Sequence, residues 1–175
     1  MKKALVLFAA VLFSILVTSC ASAEKTAEMN EKMARDIEGY ELPVLPTDST
    51  AVVYTVRPSK MAGMIVPFKI SIDGYPETLT NGSVIIFIIK PGSHSFRANS
   101  ENEDEILFTA EAGQTYFFEV TPKMGAFVAQ AAITPVDAVS GTYQVKRNYD
   151  MAKTPVRNLE DATVPINAEN PADSE

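Results

Sequence analysis

The sequence predicts a mainly β protein, an antiparallel β-sandwich of about seven strands with an N-terminal helical stalk and a candidate short C-terminal helix. Short runs rich in β-branched and aromatic residues recur between positions 51 and 133. Turn signals separate these runs, at Asp73-Gly74, Pro91-Gly92 and Ala112-Gly113. The single cysteine excludes an internal disulfide.

The first 20 residues have the pattern of a secretory signal. Lys2 and Lys3 precede an apolar run over 4–17, which is shorter than the roughly 20 residues that a spanning helix needs. The following Val17-Thr18-Ser19-Cys20 resembles the lipobox of bacterial lipoproteins. That resemblance implies that residues 1–19 are removed, that Cys20 carries the lipid (diacylglycerol and usually palmitate), and that Cys20 becomes the N-terminus.

A second cleavage site remains open. Ala21-Ser22-Ala23 fits the small-x-small pattern of ordinary signal peptidases, and cleavage there would release a soluble periplasmic protein beginning at Glu24. Lipidation is favoured because it explains the single cysteine of a secreted chain. Among lipoproteins of this type an Asp after the cysteine often signals inner-membrane retention, so Ala21 leads us to expect the outer membrane.

Residues 20–46 are interpreted as a lipidated stalk or linker. A polar stretch over 24–38 places Met29, Met33 and Ile37 at helical spacing, which predicts a helix with a thin apolar stripe. Gly39 would end this helix, and prolines follow it. The stripe could alternatively dock on the domain or on a partner.

The domain itself is assigned to residues 47–150. The predicted strands cover 51–57, 66–72, 84–89, 93–99, 106–110, 115–120 and 126–133. The acidic run 101–105 is interpreted as a solvated hairpin loop.

The end of the chain is less regular. Thr134 could cap a short helix over 135–147 with Pro135 at its first position, although Gly141 argues against a helix there. Residues 151–175 are predicted to form a flexible acidic tail, because they contain too few large apolar residues to offset their ordering entropy.

The strand-and-turn pattern of the core resembles a family of bacterial lipoprotein domains of unknown function, similar to PEGA-type small β-sandwiches. The matching pieces are Ala51-Val52-Val53-Tyr54 with Arg57-Pro58, Ile72-Asp73-Gly74, Pro91-Gly92-Ser93-His94 and Ala112-Gly113-Gln114-Thr115-Tyr116-Phe117. The resemblance implies a fold over about 51–145. It carries no catalytic residues, because that family has none agreed.

The residue inventory argues against an enzyme. His94 is the single histidine, so it would have to be the base of any catalytic triad. It shares strand parity with Phe96, which predicts a hydrogen-bonded core histidine near a corner. One histidine cannot build a zinc site, and the acidic run lacks the spacing of a calcium loop. We therefore predict no metal and no cofactor.

Charge and apolar pattern constrain the partners. The formal net charge of −7, with no basic stripe, gives nucleic-acid binding no electrostatic basis. Strand 84–89 and Tyr116-Phe117-Phe118 are apolar on both parities, which predicts that both faces of their sheet are covered. The cover would be segment 135–147, the N-terminal helix or a partner protein, and cover from within the chain is favoured.

These observations lead to two functional hypotheses. The first is an outer-membrane-anchored periplasmic lipoprotein that acts as a non-catalytic interaction module, with a protein of the cell envelope as its partner. The alternative is a periplasmic carrier that holds a small apolar ligand between its sheets. The side chains predicted to line such a cavity are Ile85, Phe87, Ile89, Phe108 and Phe117.

Overall fold

A computed structural model describes residues 25–59, 66–100, 103–124 and 129–161. The predicted signal peptide, Cys20 and the tail beyond residue 161 lie outside the described residues. The chain divides between Tyr40 and Glu41 into two compact units. This boundary lies six residues before the predicted end of the stalk at residue 46.

The first unit contains the predicted N-terminal helix. Helix α1 covers residues 25–36, and a turn over 37–39 follows it. Gly39 has a φ of +69°, a left-handed conformation that glycine adopts without strain, so it ends the helix as predicted. Glu31 and Arg35, one turn apart, form an exposed ion pair 3.1 Å long on its surface.

The second unit contains nine strands and one helix within its described residues. These are β1 Ala51–Arg57, β2 Phe68–Ile72, β3 Tyr75–Leu79, β4 Ser83–Ile89, β5 Gly92–Asn99, β6 Glu103–Ala110, β7 Thr115–Met124, β8 Ala129–Pro135, α2 Ala138–Asn148 and β9 Val156–Asn158. The mainly β class and both helices are therefore confirmed.

The sequence pattern does not predict two of the strands, and the physical reason differs between them. Strand β3 forms a hairpin with β2 across the Asp73-Gly74 turn, but its Pro76 and acidic Glu77 hide the strand signal. Strand β9 is three residues long and lies in the segment for which the sequence predicts a flexible tail. Residues 156–158 form a strand because they pair with the free edge of β4, and their own sequence does not indicate this pairing.

The strands form two sheets. One sheet has the order β8-β7-β1-β4-β9, and the other has the order β3-β2-β5-β6. The prediction of a purely antiparallel arrangement is wrong, because β1 pairs with β7 and β4 with β9 in parallel. Parallel pairing arises at β7 because β6 and β7 belong to different sheets, so β7 joins β1 by a crossover rather than a hairpin.

The two sheets share one hydrophobic core. Alternate residues of β1, β4 and β7 point towards the four-stranded sheet, whose β2 and β5 supply the facing side chains. The largest buried members include Phe68, Phe87, Phe96 and Phe118, the last two with ring centroids 5.2 Å apart.

The opposite side of the five-stranded sheet is covered by α2. All seven residues of β1 are buried, so both faces of this central strand are covered, as predicted from the double-sided apolar pattern. Helix α2 contributes Val145, which is fully buried. The cover is therefore supplied by the chain itself, from the 135–147 segment.

Helix α2 begins differently from the prediction. Its N-cap is Asp137, not Thr134, and the Asp137 carboxylate accepts hydrogen bonds from the N–H groups of Val139 and Ser140. Gly141 lies inside the helix because the helix axis runs close to β7. A Cβ at position 141 would come within 2.6 Å of Phe117 Cβ and would overlap the ring.

The acidic run is also placed differently. The sequence predicts a loop over 101–105, but Glu103, Asp104 and Glu105 belong to β6 and pair with β5. Their charges are compatible with a strand because β6 is at the edge of its sheet and two of the three side chains are exposed.

Candidate functional site

His94 lies on β5, just after the Pro91-Gly92 corner. Its Nδ1 is 2.6 Å from Asp73 Oδ2, and its Nε2 is 2.8 Å from the main-chain oxygen of Lys90. The side chain is only 10% exposed and its ring lies 5.6 Å from that of Phe108. The histidine is thus hydrogen-bonded and mostly buried, as its strand parity predicts.

Asp73 holds this corner together from the β2–β3 turn. Its Oδ1 accepts a hydrogen bond of 2.9 Å from the N–H of Ser95, and its own N–H donates to the Ser95 oxygen at 2.9 Å. The residue has a φ of 50°, which an aspartate tolerates better than most side chains. Sequence reasoning identified the turn but not its contact with His94, because 21 residues separate the pair.

This geometry assigns a structural role to the histidine. Both ring nitrogens of His94 face acceptor atoms, one a carboxylate and the other a carbonyl. A general base needs a lone pair directed at its substrate, and both nitrogens are engaged within the protein. The Asp73–His94 pair therefore fastens two turns of the four-stranded sheet to each other.

A shallow pocket of about 490 Å³ lies beside this pair. Leu107 forms part of its wall and is 77% exposed, the second most exposed large hydrophobic side chain in the described residues. The register places Leu107 opposite Ser95, and Thr109 opposite Ser93. The pocket is lined by Asp73, Ser93, His94, Ser95, Leu107, Phe108 and Thr109.

Charged side chains continue the same face of β5 and β6 beyond the pocket. Glu105 accepts hydrogen bonds from Ser95 Oγ at 2.6 Å and Arg97 Nε at 3.0 Å. These two donors, Ser95 first, lower the pKa of Glu105, and the Glu105 carboxylate in turn raises the pKa of Arg97. Glu103 lies 3.9 Å from the same guanidinium. Two carboxylates thus share one arginine, which leaves this row net negative.

A second pocket, of about 330 Å³, lies between the end of β1 and α2. Arg147 Nη1 donates a hydrogen bond of 2.8 Å to the Tyr143 hydroxyl at its rim. The last turn of a helix carries the negative end of the helix dipole, which opposes anion binding here. The lining residues are Pro58, Ser59, Tyr143, Gln144, Arg147 and Asn148.

Arg57 is buried at the end of β1. Its Nη1 donates to the main-chain oxygens of Val66 at 2.6 Å and Leu79 at 3.2 Å, and its guanidinium lies 4.0 Å from the centre of the Phe68 ring. Burial lowers the pKa of this arginine because it removes the charge from water. These contacts connect β1 to the four-stranded sheet and explain why an arginine ends an otherwise apolar strand.

The residues predicted to line a ligand cavity are not all brought together. Ile85, Phe87 and Ile89 are fully buried in the shared core, and Phe108 packs at its margin. Phe117 points to the other side of the five-stranded sheet, where it stacks on Tyr54 with ring centroids 5.5 Å apart. One predicted lining position, Phe117, is therefore wrong, because Phe117 and Phe118 have opposite parity and the core takes Phe118.

The described residues contain no cluster of three or more His, Cys, Asp or Glu side chains arranged to hold a metal ion. Among the same residues, no helix has both the length and the apolar character required to cross a membrane.

Comparison with known proteins gives no assignment. No protein-family model matches this chain, and no curated protein matches it. The resemblance to PEGA-type lipoprotein domains therefore stays a prediction from the quoted motifs.

Proposed function

We propose that this protein is a bacterial lipoprotein anchored in the outer membrane, where its β-sandwich domain acts in the periplasm as a non-catalytic interaction module. The observation that carries the proposal is the single cysteine, Cys20, placed directly after a basic and then apolar leader. A protein of the cell envelope is the proposed partner.

The anchor in this proposal is the lipid and not the polypeptide. The net charge of −7 opposes binding to an anionic membrane surface. Several acyl chains on one cysteine supply stable attachment, since each buried methylene contributes about 0.8 kcal/mol while a single chain holds a protein only marginally.

The boundary of the domain supports a tether that ends near Tyr40. The Tyr54 hydroxyl donates to the Val44 oxygen at 2.6 Å and accepts from its N–H at 2.9 Å. The oxygens of Thr47 and Thr50 both accept from the N–H of Gly113. Residues 44–50 are thus part of the folded domain, which leaves 20–40 as the proposed connection to the lipid.

The non-catalytic part of the proposal is supported by His94. Acid–base chemistry most often uses histidine, and here both nitrogens of the single histidine are hydrogen-bonded to protein acceptors. The described surface offers instead a shallow pocket with the exposed Leu107 in its wall, where a group of a partner could be received.

The test is the intact mass of the protein extracted from bacterial membranes, compared with a Cys20→Ala variant. We expect a chain that begins at Cys20 with a mass raised by acyl chains, and a variant that lacks this increase and leaves the membrane fraction. An unmodified chain that begins at Glu24 would refute the anchor and favour a free periplasmic protein.

A further inference from the structure

The two sheets have four edge strands, which are protected to different degrees against pairing with another strand. In β8, the N–H of Ala131 donates to Ser100 Oγ at 3.0 Å and the N–H of Ile133 to Asp104 Oδ2 at 2.8 Å. The side chains of Ser100, just after β5, and of Asp104 on β6 therefore satisfy two outward N–H groups of β8. Strand β9 is three residues long, and its Arg157 forms an ion pair with Glu77 of β3.

Strand β3 is blunted by a proline. The main-chain groups of Ser95 on β5 form hydrogen bonds with Asp73, at the end of β2. In an antiparallel ladder the hydrogen-bonded residues alternate, so every second residue of β2 bonds to β5 and the others, including Ile72, bond to β3. Pro76 then faces away from β2, on the free edge, where its missing N–H removes a donor. This edge offers a partner strand little to bond.

Strand β6 has no such protection over its second half. Because Ser95 directs its main-chain groups towards Asp73, it does not bond to its register partner Leu107. The main-chain N–H and oxygen of Leu107 and Thr109 therefore point outwards, away from β5. Within the described part of the chain they have no hydrogen-bond partner.

The two sides of this edge differ in chemistry. On the solvent side lie Glu103, Glu105 and the exposed Leu107. On the core side, Ile106 and Phe108 are only partly buried and leave apolar surface at the margin of the core. A strand added here would meet carboxylates on one side and apolar groups on the other.

We propose that the free edge of β6 binds an extended segment of a partner protein by strand addition, and that this segment alternates basic and apolar residues. Main-chain bonding to an exposed edge supplies affinity, and the alternating sides supply specificity. Basic residues would lie opposite Glu103 and Glu105, and apolar residues would cover Ile106 and Phe108. The inference rests on the proposed interaction module and names the chemistry of its partner.

The test uses the full-length protein in neutral detergent and a blocked ten-residue peptide of alternating lysine and valine. We expect the peptide to slow amide hydrogen exchange at Leu107 and Thr109 about tenfold, with weaker binding at high salt. A control peptide with five lysines followed by five valines has the same composition but cannot present two distinct sides, so we expect it to bind less well.

Two substitutions probe the edge directly. Leu107→Pro removes an outward N–H and leaves the ladder to β5 intact, so we expect peptide affinity to fall about fivefold to tenfold. Thr78→Pro makes the matched change on the free edge of β3 and should leave affinity unchanged. Leu107→Arg, at an exposed side chain that folding does not need, should weaken binding of the basic peptide through repulsion.

Equal binding of both peptides, or undiminished binding by Leu107→Pro and Leu107→Arg, would overturn the proposal. Protection of the same two amides without peptide, together with a concentration-dependent dimer, would also overturn it, because the occupant would be a second copy. If the peptide does not bind but Cys20 is acylated, only strand addition at the β6 edge is rejected. If the peptide binds and Cys20 is not acylated, only the lipid anchor is rejected.

Discussion

The two sides of the five-stranded sheet are buried in different ways. One side faces a second sheet, whose four strands are joined to one another by ladders of main-chain hydrogen bonds. The other side faces α2, a single helix of eleven residues connected to β8 by a two-residue link. Both sides exclude water from β1 to the same extent.

The difference lies in how each cover can respond to a change. A strand that is hydrogen-bonded to its neighbours cannot move alone towards a cavity without breaking its ladders, whereas one helix can shift as a body. Helix α2 nevertheless packs closely on the sheet, because Gly141 has no side chain and lets the helix backbone approach the Phe117 ring. Equal burial therefore conceals unequal rigidity, and substitutions can reveal it.

The largest effects are expected for two adjacent isoleucines of β4. Ile85 faces the second sheet and is 1% exposed, while Ile86 has the opposite parity and is fully buried. Truncation of a buried isoleucine to alanine costs about 2–5 kcal/mol, with the larger costs where the cavity cannot collapse. We expect Ile85→Ala near the upper end and Ile86→Ala near the lower, as measured by denaturant unfolding. Equal losses would show that the helix is as rigid as the sheet.

An intermediate effect is expected for Gly141→Ala. The added methyl group overlaps Phe117, so the helix has to move away from β7, and overpacking of this kind costs about 1–3 kcal/mol. The gain in helix propensity from glycine to alanine, about 1 kcal/mol, offsets part of that loss. Thermal unfolding of Gly141→Ala should show destabilisation. In a Phe117→Ala background the same Gly141→Ala change should cost less free energy of unfolding, because the ring that the added methyl group overlaps is gone. A more stable single variant would contradict the close approach.

The smallest effect is expected at the helix N-cap. Asp137→Ala removes the acceptor for two N–H groups and should cost about 1 kcal/mol, whereas Asp137→Asn keeps a good cap. Hydrogen bonds from the N–H of Ser140, then from its hydroxyl, lower the pKa of Asp137 in the folded protein.

The lowered pKa gives this cap a defined dependence on pH. Its stabilisation is fully present above the ordinary aspartate pKa and is lost as the pH falls through the lower value of the folded state. Unfolding curves between neutral and strongly acidic pH should therefore show the wild type losing stability relative to Asp137→Asn. Parallel curves for the two proteins would exclude a contribution from the ionised carboxylate.

Much of the β architecture is predictable because strand signals are local. The alternation in β2 and the continuous apolar run in β4 state directly which faces are buried. The same run, together with Tyr116-Phe117-Phe118, indicates a second covered face. Strand β9 was missed because three residues with an exposed Val156 carry no such signal.

The candidate site was predictable only in part. Strand parity identifies His94 as inward-facing and Asp73-Gly74 as a turn, but the contact between them depends on how two hairpins are placed side by side. Leu107 appears from the sequence to be one more residue of a strand. Its exposure, and the outward direction of its main-chain groups, follow from the position of β6 at the end of the sheet order.

Local sequence patterns specify the strands with strong periodicity and the need for cover on both sides of the central strands, and the basic, apolar and cysteine pattern of the first 20 residues predicts a lipid anchor. The three-dimensional arrangement alone shows which segment supplies the cover, why Gly141 is tolerated inside a helix, and which edge is left open. Periodicity and turn chemistry act between residues close in the chain, whereas helix–sheet contact and edge exposure depend on residues far apart in sequence that only the fold brings together.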